Sequence, residues 1–195
     1  VGQPFNVGSI VRTAAALGAE QLWLCGTPAP LSHPGVAKTA LGTQRLVPSV
    51  NEPSPVAAAN TAAGMGLRVV AIELATGAVP LHEAPLDGDV CLAFGHEDHG
   101  CSQALLAVAD AIAYIPQPGR VESLNVAVAA AIAMAEARRR LAEDGYTDAF
   151  LWVLQGNDRA RTFYEGEGWS PDGSTREANP YEIVGSVSRF RRRLP

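Results

Sequence analysis

Three short apolar runs set what this chain can fold into. Leu67 to Leu74, Asp89 to Phe94 and Ala111 to Ile115 are rich in Val, Ile, Leu and Ala and too short for helices. Helical stretches separate or follow them. An Ala-rich helix over 55–64 is opened by Pro53, Ser54 and Pro55 and ended by Gly64-Met65-Gly66. Ser102 caps a short helix running to about Asp110, and Ser123 to Glu143 forms the longest helix, with Leu124, Val128, Ile132 and Ala135 on one face. Strands that alternate with helices indicate an α/β domain with a mainly parallel sheet. Upstream, Asn6 reads as the N-cap of a helix with Ile10, Val11, Ala14 and Leu17 on its apolar face and Gly18 as its stop. Gln21 to Cys25 reads as a short buried strand, Ala29 to Gly35 as a loop, and residues 36–50 as a turn followed by a strand at Arg45 to Val47.

The pattern changes near Asp144-Gly145, which divides the chain into modules over 1–144 and 145–195. Phe150 to Leu154 reads as a strand, Asn157 to about Glu167 as a helix, and Glu182 to Arg193 as one or two strands. Two of the three tryptophans and three of the four tyrosines fall in this second part.

Hydrophobic residues at 47% against 18% charged exclude a disordered chain. No apolar run approaches the roughly 18 residues that span a bilayer, and no charged-then-apolar leader is found. Cys25, Cys91 and Cys101 are an odd set that suits a reducing compartment better than a disulfide framework, so a cytoplasmic protein is expected, with Cys25 and Cys91 as buried core thiols. The net charge of −5 provides no global positive field for nucleic acid. Charge is uneven, however. Residues 1–145 hold 8 Lys/Arg and 13 Asp/Glu, and residues 146–195 hold 7 of each but end in the basic run Arg189-Phe190-Arg191-Arg192-Arg193. A local basic groove is compatible with this; a nucleic-acid coat protein is not.

Three blocks carry chemistry. The first is Asn6-Val7-Gly8-Ser9-Ile10-Val11-Arg12, which alone reads as a capped amphipathic helix with a surface arginine. The second, Phe94-Gly95-His96-Glu97-Asp98-His99-Gly100-Cys101-Ser102, lies between a strand and a helix, where α/β folds place ligands. The third, Ile115-Pro116-Gln117-Pro118-Gly119-Arg120-Val121-Glu122-Ser123-Leu124-Asn125, is another strand-to-helix loop. His96, Glu97, His99 and Cys101 do not form His-Glu-x-x-His, and no second Cys/His pair with zinc spacing accompanies them, so no metal is expected.

In this order and at these intervals the blocks resemble the SpoU branch of the SPOUT class of RNA methyltransferases, most closely the TrmH-like tRNA ribose methyltransferases. The family's first motif has Asn, Gly and Arg at the spacing of Asn6, Gly8 and Arg12; its second, G-x-E-x-x-G-x-S, is met by Gly95, Glu97, Gly100 and Ser102; its third is met from Ile115 through Ala129. The resemblance implies a SPOUT α/β-knot, a parallel sheet with a C-terminal deep trefoil knot, binding S-adenosyl-L-methionine through Ile72, Gly95, Ile115, Gln117 and Leu124. Gln117 stands where the family often has Met. The implied reaction is methyl transfer to a ribose 2′-hydroxyl, with Arg12 as the catalytic group, Asn6 orienting it, and Glu97, Ser123 and Asn125 bracing the knot or the substrate. For Ser123 and Asn125, plain helix capping is the competing reading.

The implied partners are RNA, tRNA rather than rRNA, and a second copy of the chain in a homodimer built on the last helix of the first module; DNA and membranes are not expected. Lys38, Arg45 and Arg120 are the candidates for phosphate contacts, whereas Arg138, Arg139 and Arg140 read as complements to a helix dipole. The strand that precedes the first motif in the family is missing from this sequence. Residues 146–195 resemble the C-terminal third of a GNAT acetyltransferase, through Asn157, Ala160, Phe163, Tyr164, Gly168 and Trp169, giving a small α+β segment. The pyrophosphate loop of that family is not found upstream, so the segment reads as a non-catalytic module. A SPOUT core that binds cofactor or RNA without turnover, and an acetyltransferase working through residues 146–195, are the alternatives to methyl transfer.

Overall fold

The computed structural model describes residues 1–121, 123–143, 148–177 and 186–193. They form two compact units, Val1–Asp144 and Gly145–Pro195. The first unit runs α1 (Pro4–Leu17), β1 (Leu22–Cys25), α2 (Pro34–Ala40), β2 (Ser49–Glu52), α3 (Pro55–Gly64), β3 (Arg68–Ile72), β4 (Val79–Pro80), β5 (Val90–Phe94), α4 (Gln103–Val108), β6 (Ala111–Tyr114) and α5 (Val126–Glu143). The described pairings of its sheets are parallel: β4-β6-β3-β5 form one sheet, and β1 and β2 pair separately.

β3 sits inside the larger sheet and is covered on both faces. Its period-two alternation sends Val70 and Ile72 into a cluster with Leu81, Leu86, Ala113, Ala133 and Ala137, on the α5 side. Val69 and Ala71 point the other way, to Ala59 and Ala62 of α3 and Leu105 of α4. A third cluster joins Val7 and Val11 of α1 to Val36 and Ala40 of α2.

Several details correct the sequence reading. α1 begins at Pro4 with Gln3 at the cap position, so Asn6 is not an N-cap; it lies in the first turn with its side chain available for other partners. Residues 36–50 hold no strand at Arg45 to Val47. Pro34 starts a helix capped by the His33 side chain, which accepts from the Gly35 amide at 3.0 Å, and the strand is displaced to Ser49–Glu52. The longest helix starts at Val126 rather than Ser123. It buries Ala127, Ala130, Ala133 and Ala137, leaving Val128 (48%) and Ile132 (40%) exposed. Ala133 and Ala137 pack on the sheet beside Val70 and Ile72, and α1 is the other neighbour of α5, so small residues suit its buried side. Cys25 and Cys91 are only partly buried, and Cys101 is the buried thiol.

The second unit comprises β7 (Asp148–Leu154), α6 (Asp158–Gly166), β8 (Ser170–Glu177) and β9 (Ser186–Arg193). β9 lies between β7 and β8, antiparallel to both. Asn157 caps α6, its Oδ1 accepting from the Ala160 amide at 3.1 Å. β8 has no apolar alternation and was not expected; it contains Pro171 and Gly173 around a register shift. Part of the predicted Glu182–Arg193 strand lies outside the described residues. Among the described residues no helix is long and apolar enough to cross a membrane.

Candidate active site at the C-terminal edge of the parallel sheet

Parallel pairing carries the ends of β3, β5 and β6 to one edge. Ile72 is opposite Phe94 on one side and Ala113 on the other, so Ile72, Gly95 and Ile115 stand together there. Two loops leave this edge, the loop of the second sequence block over Gly95–Ser102 (the second loop) and the loop of the third block, which starts at Ile115 and ends at Asn125 (the third loop).

The second loop closes on itself. The His96 and Gly100 amides exchange hydrogen bonds of 3.0 and 2.8 Å with each other's carbonyls. A Cβ on Gly95 would lie 2.1 Å from the Gly100 carbonyl carbon, so only glycine fits. His96 and His99 are exposed and stack at 5.2 Å. The closed loop presents Glu97 to the start of α1. Its carboxylate accepts from the Gly2 amide (2.8 Å), the Gln3 amide (3.0 Å) and Asn6 Nδ2 (2.9 Å). Burial pushes this carboxyl up, but the hydrogen bonds from Asn6 and from the Gly2, Glu97 and Gln3 amides outweigh it and hold the pKa at about 2. Glu97 is therefore an anion at neutral pH.

Asn6 continues the connection. Its Oδ1 accepts from Asn125 Nδ2 at 3.0 Å, and Asn125 Oδ1 accepts from the Ala127 amide at 2.9 Å, capping α5. Both ends of this chain have fixed polarity, because an ionised carboxylate only accepts and backbone amides only donate. The orientation of both asparagine amides follows. One residue from each sequence block thus joins a single directional network.

Arg12 and Ser123 are not in that network. Arg12 is exposed on α1, six residues beyond Asn6, and Asn6 makes no hydrogen bond to it. The orienting role expected of Asn6 is not seen within one copy of the chain. Ser123 is exposed and caps nothing; the cap is Asn125. Leu124 is partly buried beside it. Gln117 keeps its Oε1 buried with no partner among the described residues, an unmet acceptor on the loop leaving β6 that suits a ligand carrying N–H donors. Gly8 serves packing: a Cβ there would lie 2.1 Å from Thr39 Oγ1 and 2.4 Å from the Val36 carbonyl of α2. Lys38, Arg45 and Arg120 are exposed, whereas Arg139 and Arg140 are engaged by Glu136, and Arg139 also by Glu143. One carboxylate at this edge, Glu73, escaped the sequence reading; its only signal was an acidic residue directly after a buried strand.

The chain is similar to known proteins over most of its length. Residues 1–135 match the SpoU rRNA Methylase family. The chain is 30% identical over 166 residues to the tRNA (guanosine(18)-2'-O)-methyltransferase of Escherichia coli, covering 85% of this chain and 72% of that protein. It is 37% identical over 134 residues to the 23S rRNA (guanosine(2553)-2'-O)-methyltransferase RlmP of Bacillus subtilis, covering 68% of this chain and 52% of the relative. The crystal structure of the SpoU methyltransferase AviRb from Streptomyces viridochromogenes, in complex with AdoMet, superimposes with a TM-score of 0.64 at 32% identity, over 71% of this chain and 56% of that one. The chain thus spans between about half and three quarters of the length of these three proteins. With its three blocks meeting at one sheet edge and this family matched over most of its length, the chain belongs to the SpoU methylase family of RNA 2′-O-methyltransferases.

Proposed function

We propose that the chain transfers a methyl group from S-adenosylmethionine to a ribose 2′-hydroxyl of RNA, with tRNA as the substrate and a homodimer as the working form. The observation that carries this is the Glu97–Asn6–Asn125 network, which ties the start of α1 to both loops of the sheet edge. The unmet Gln117 acceptor and the glycine-only turn at Gly95 suit a cofactor with amino donors, held by Ile72, Gly95, Ile115, Gln117 and Leu124. When bound, that cofactor supplies an electrophilic methyl on a sulfonium.

The chain's own residues must lower the proton barrier at the 2′-hydroxyl. Arg12 is permanently protonated and cannot take the proton. It acts instead by stabilising the developing alkoxide while the proton passes to solvent water, or by holding a neighbouring phosphate that accepts the proton. Glu97, as an anion, fixes Asn6 and the start of α1; Asn125 fixes the start of α5. Ser123, exposed on the third loop, is assigned to the substrate side. Lys38, Arg45 and Arg120 supply phosphate contacts. The exposed Val128 and Ile132 face of α5 suits the dimer contact. The deep trefoil knot and a cytoplasmic location belong to the same reading.

Residues 146–195 are proposed as an appended GNAT-like module without acetyl transfer. In support, the Asn157 side chain is used in capping α6, and the Tyr164 ring packs edge-on against Trp169 at 6.1 Å.

Calorimetric titration of S-adenosylmethionine, followed by methyl transfer into bulk tRNA and rRNA, tests the proposal. Micromolar cofactor binding and 2′-O-methylated tRNA are expected. A folded protein that binds no cofactor would remove the catalytic reading.

A further inference from the structure

The second loop is tied to the sheet by a carboxylate that none of the three sequence blocks contains. Glu73 directly follows β3, and its amide donates to the Ala113 carbonyl at 2.8 Å, extending the β3–β6 pairing by one residue. The backbone of Glu73 is thereby fixed at the edge from which both loops leave. Its Oε2 accepts from the Cys101 amide at 2.7 Å, and its Oε1 from the Leu74 amide at 3.1 Å. Gly100 passes so close that a Cβ there would lie 2.3 Å from Glu73 Oε2. The nearby Cys101 thiol is no rival anion: burial, and then the charge of Glu73, push it up to about 12.

Glu73 holds one side of the closed turn, and Glu97, projecting from the other side, holds the start of α1. Between these two attachments the turn is closed: a Cβ on Gly95 would meet the Gly100 backbone, and His96 and Gly100 pair across it. Gly95 itself is held by its bond to Phe94 at the end of β5, so losing the Glu73 attachment would leave the turn beyond it tied only through β5 and Glu97.

We propose that Glu73 is a positioning residue for methyl transfer: by accepting the Cys101 amide it sets the loop that brings Gly95 to the cofactor and Glu97 to Asn6. This rests on the reading of that loop as part of the cofactor site. Losing the acceptor leaves a partly buried amide unpaired and frees the loop, which weakens cofactor affinity more than RNA affinity.

The test measures S-adenosylmethionine affinity by calorimetry, and the KM for each substrate, on the full chain and on Glu73→Ala, Glu73→Gln and Gly100→Ala, with circular dichroism as the folding check. Glu73→Ala is expected to weaken cofactor binding by about tenfold and to raise the cofactor KM, with the RNA KM unchanged. Glu73→Gln keeps an oxygen acceptor and should stay within about threefold of wild type. Gly100 has φ 65°, so Gly100→Ala strains the backbone and also drives a methyl into the Glu73 carboxylate; combining it with Glu73→Ala removes the second cost only, and the pair should cost less than the product of the two single losses.

Wild type that binds no cofactor would refute the functional reading itself. Wild type that binds, with a folded Glu73→Ala of equal affinity, would overturn the Glu73 proposal and leave the function standing. Should Glu73→Ala not fold, Glu73→Met, of similar size but without a carboxylate acceptor, decides: cofactor affinity within about threefold of wild type, or a matching rise in the RNA KM, would overturn it.

Discussion

The side chains of Asn6 and Asn125 are 119 positions apart in sequence and share one hydrogen bond, donated by Asn125 to Asn6 at 3.0 Å. Each spends its remaining groups on a different element: Asn6 on Glu97, Asn125 on the first amides of α5. The bond therefore couples the start of α1 to the end of the third loop. Replacing either asparagine leaves a donor or acceptor of the other unmatched, so the consequences should reach both elements.

Glu97 contributes stability that depends on pH with a definite sign. Its folded pKa of about 2 lies below the ordinary 4.5, so its contribution is complete above about 4.5 and disappears as pH falls towards 2. Glu97→Gln resembles the protonated form. The melting-temperature gap between wild type and Glu97→Gln should be constant from pH 5 to 7, shrink below about pH 4.5 and close near pH 2. A gap that widens on acidification would contradict the hydrogen-bonding account. Glu97→Ala, which strands three donors, should cost about 2 kcal/mol in urea denaturation at pH 7.

Gly8 is required by packing. Gly8→Ala sets a methyl 2.1 Å from Thr39 Oγ1 and 2.4 Å from a backbone carbonyl, so α1 and α2 must separate. A loss of about 2–3 kcal/mol is expected. Gly64→Ala is the contrast: nothing lies within 4 Å of its added carbon at the end of α3, and stability should rise by up to about 1 kcal/mol. Equal effects in the two variants would refute the close-approach argument.

The legibility of these features in the sequence varied with their range. β3, β5 and β6 were readable because strands buried on both faces are short and continuously apolar. α2 was not, since its start depends on the His33 side chain and Pro34 rather than on a periodic apolar pattern. Asn6 looked like a cap because asparagine favours that position, but the helix starts two residues earlier and the residue is used across 91 and 119 positions instead. On α5 the larger Val128 and Ile132 suggested the core face, yet the interior took the alanines. Hydrophobicity alone could not reveal how closely α1 and the sheet approach that helix. Glu73 was invisible because its partner is a backbone amide 28 positions away.

Arg12 separates chemistry from stability. It is exposed on α1, and removing it should change stability by less than about 0.5 kcal/mol. Single-turnover methyl transfer should fall by about two to three orders of magnitude in Arg12→Ala, with cofactor affinity unchanged. Arg12→Lys should not restore it, because an ammonium lacks the planar fork of the guanidinium. Full activity in Arg12→Ala would remove this residue from the reaction.

The exposed side of α5 provides the last test. Val128 and Ile132 are one turn apart on the helix and 48% and 40% exposed, while the alanines of the other side are buried, Ala133 and Ala137 among them against the sheet. A charge at Ile132 therefore spares the core of the first unit. If this face joins two copies, Ile132→Glu should convert a dimer to a monomer in sedimentation velocity with little change in the circular dichroism spectrum. A charged carboxylate left without a partner in an apolar contact costs several kcal/mol, enough to dissociate a dimer of micromolar affinity at working concentrations. An unchanged sedimentation coefficient would place the contact elsewhere. A monomeric wild type would dismiss it, leaving the apolar stripe of α5 without a role in assembly.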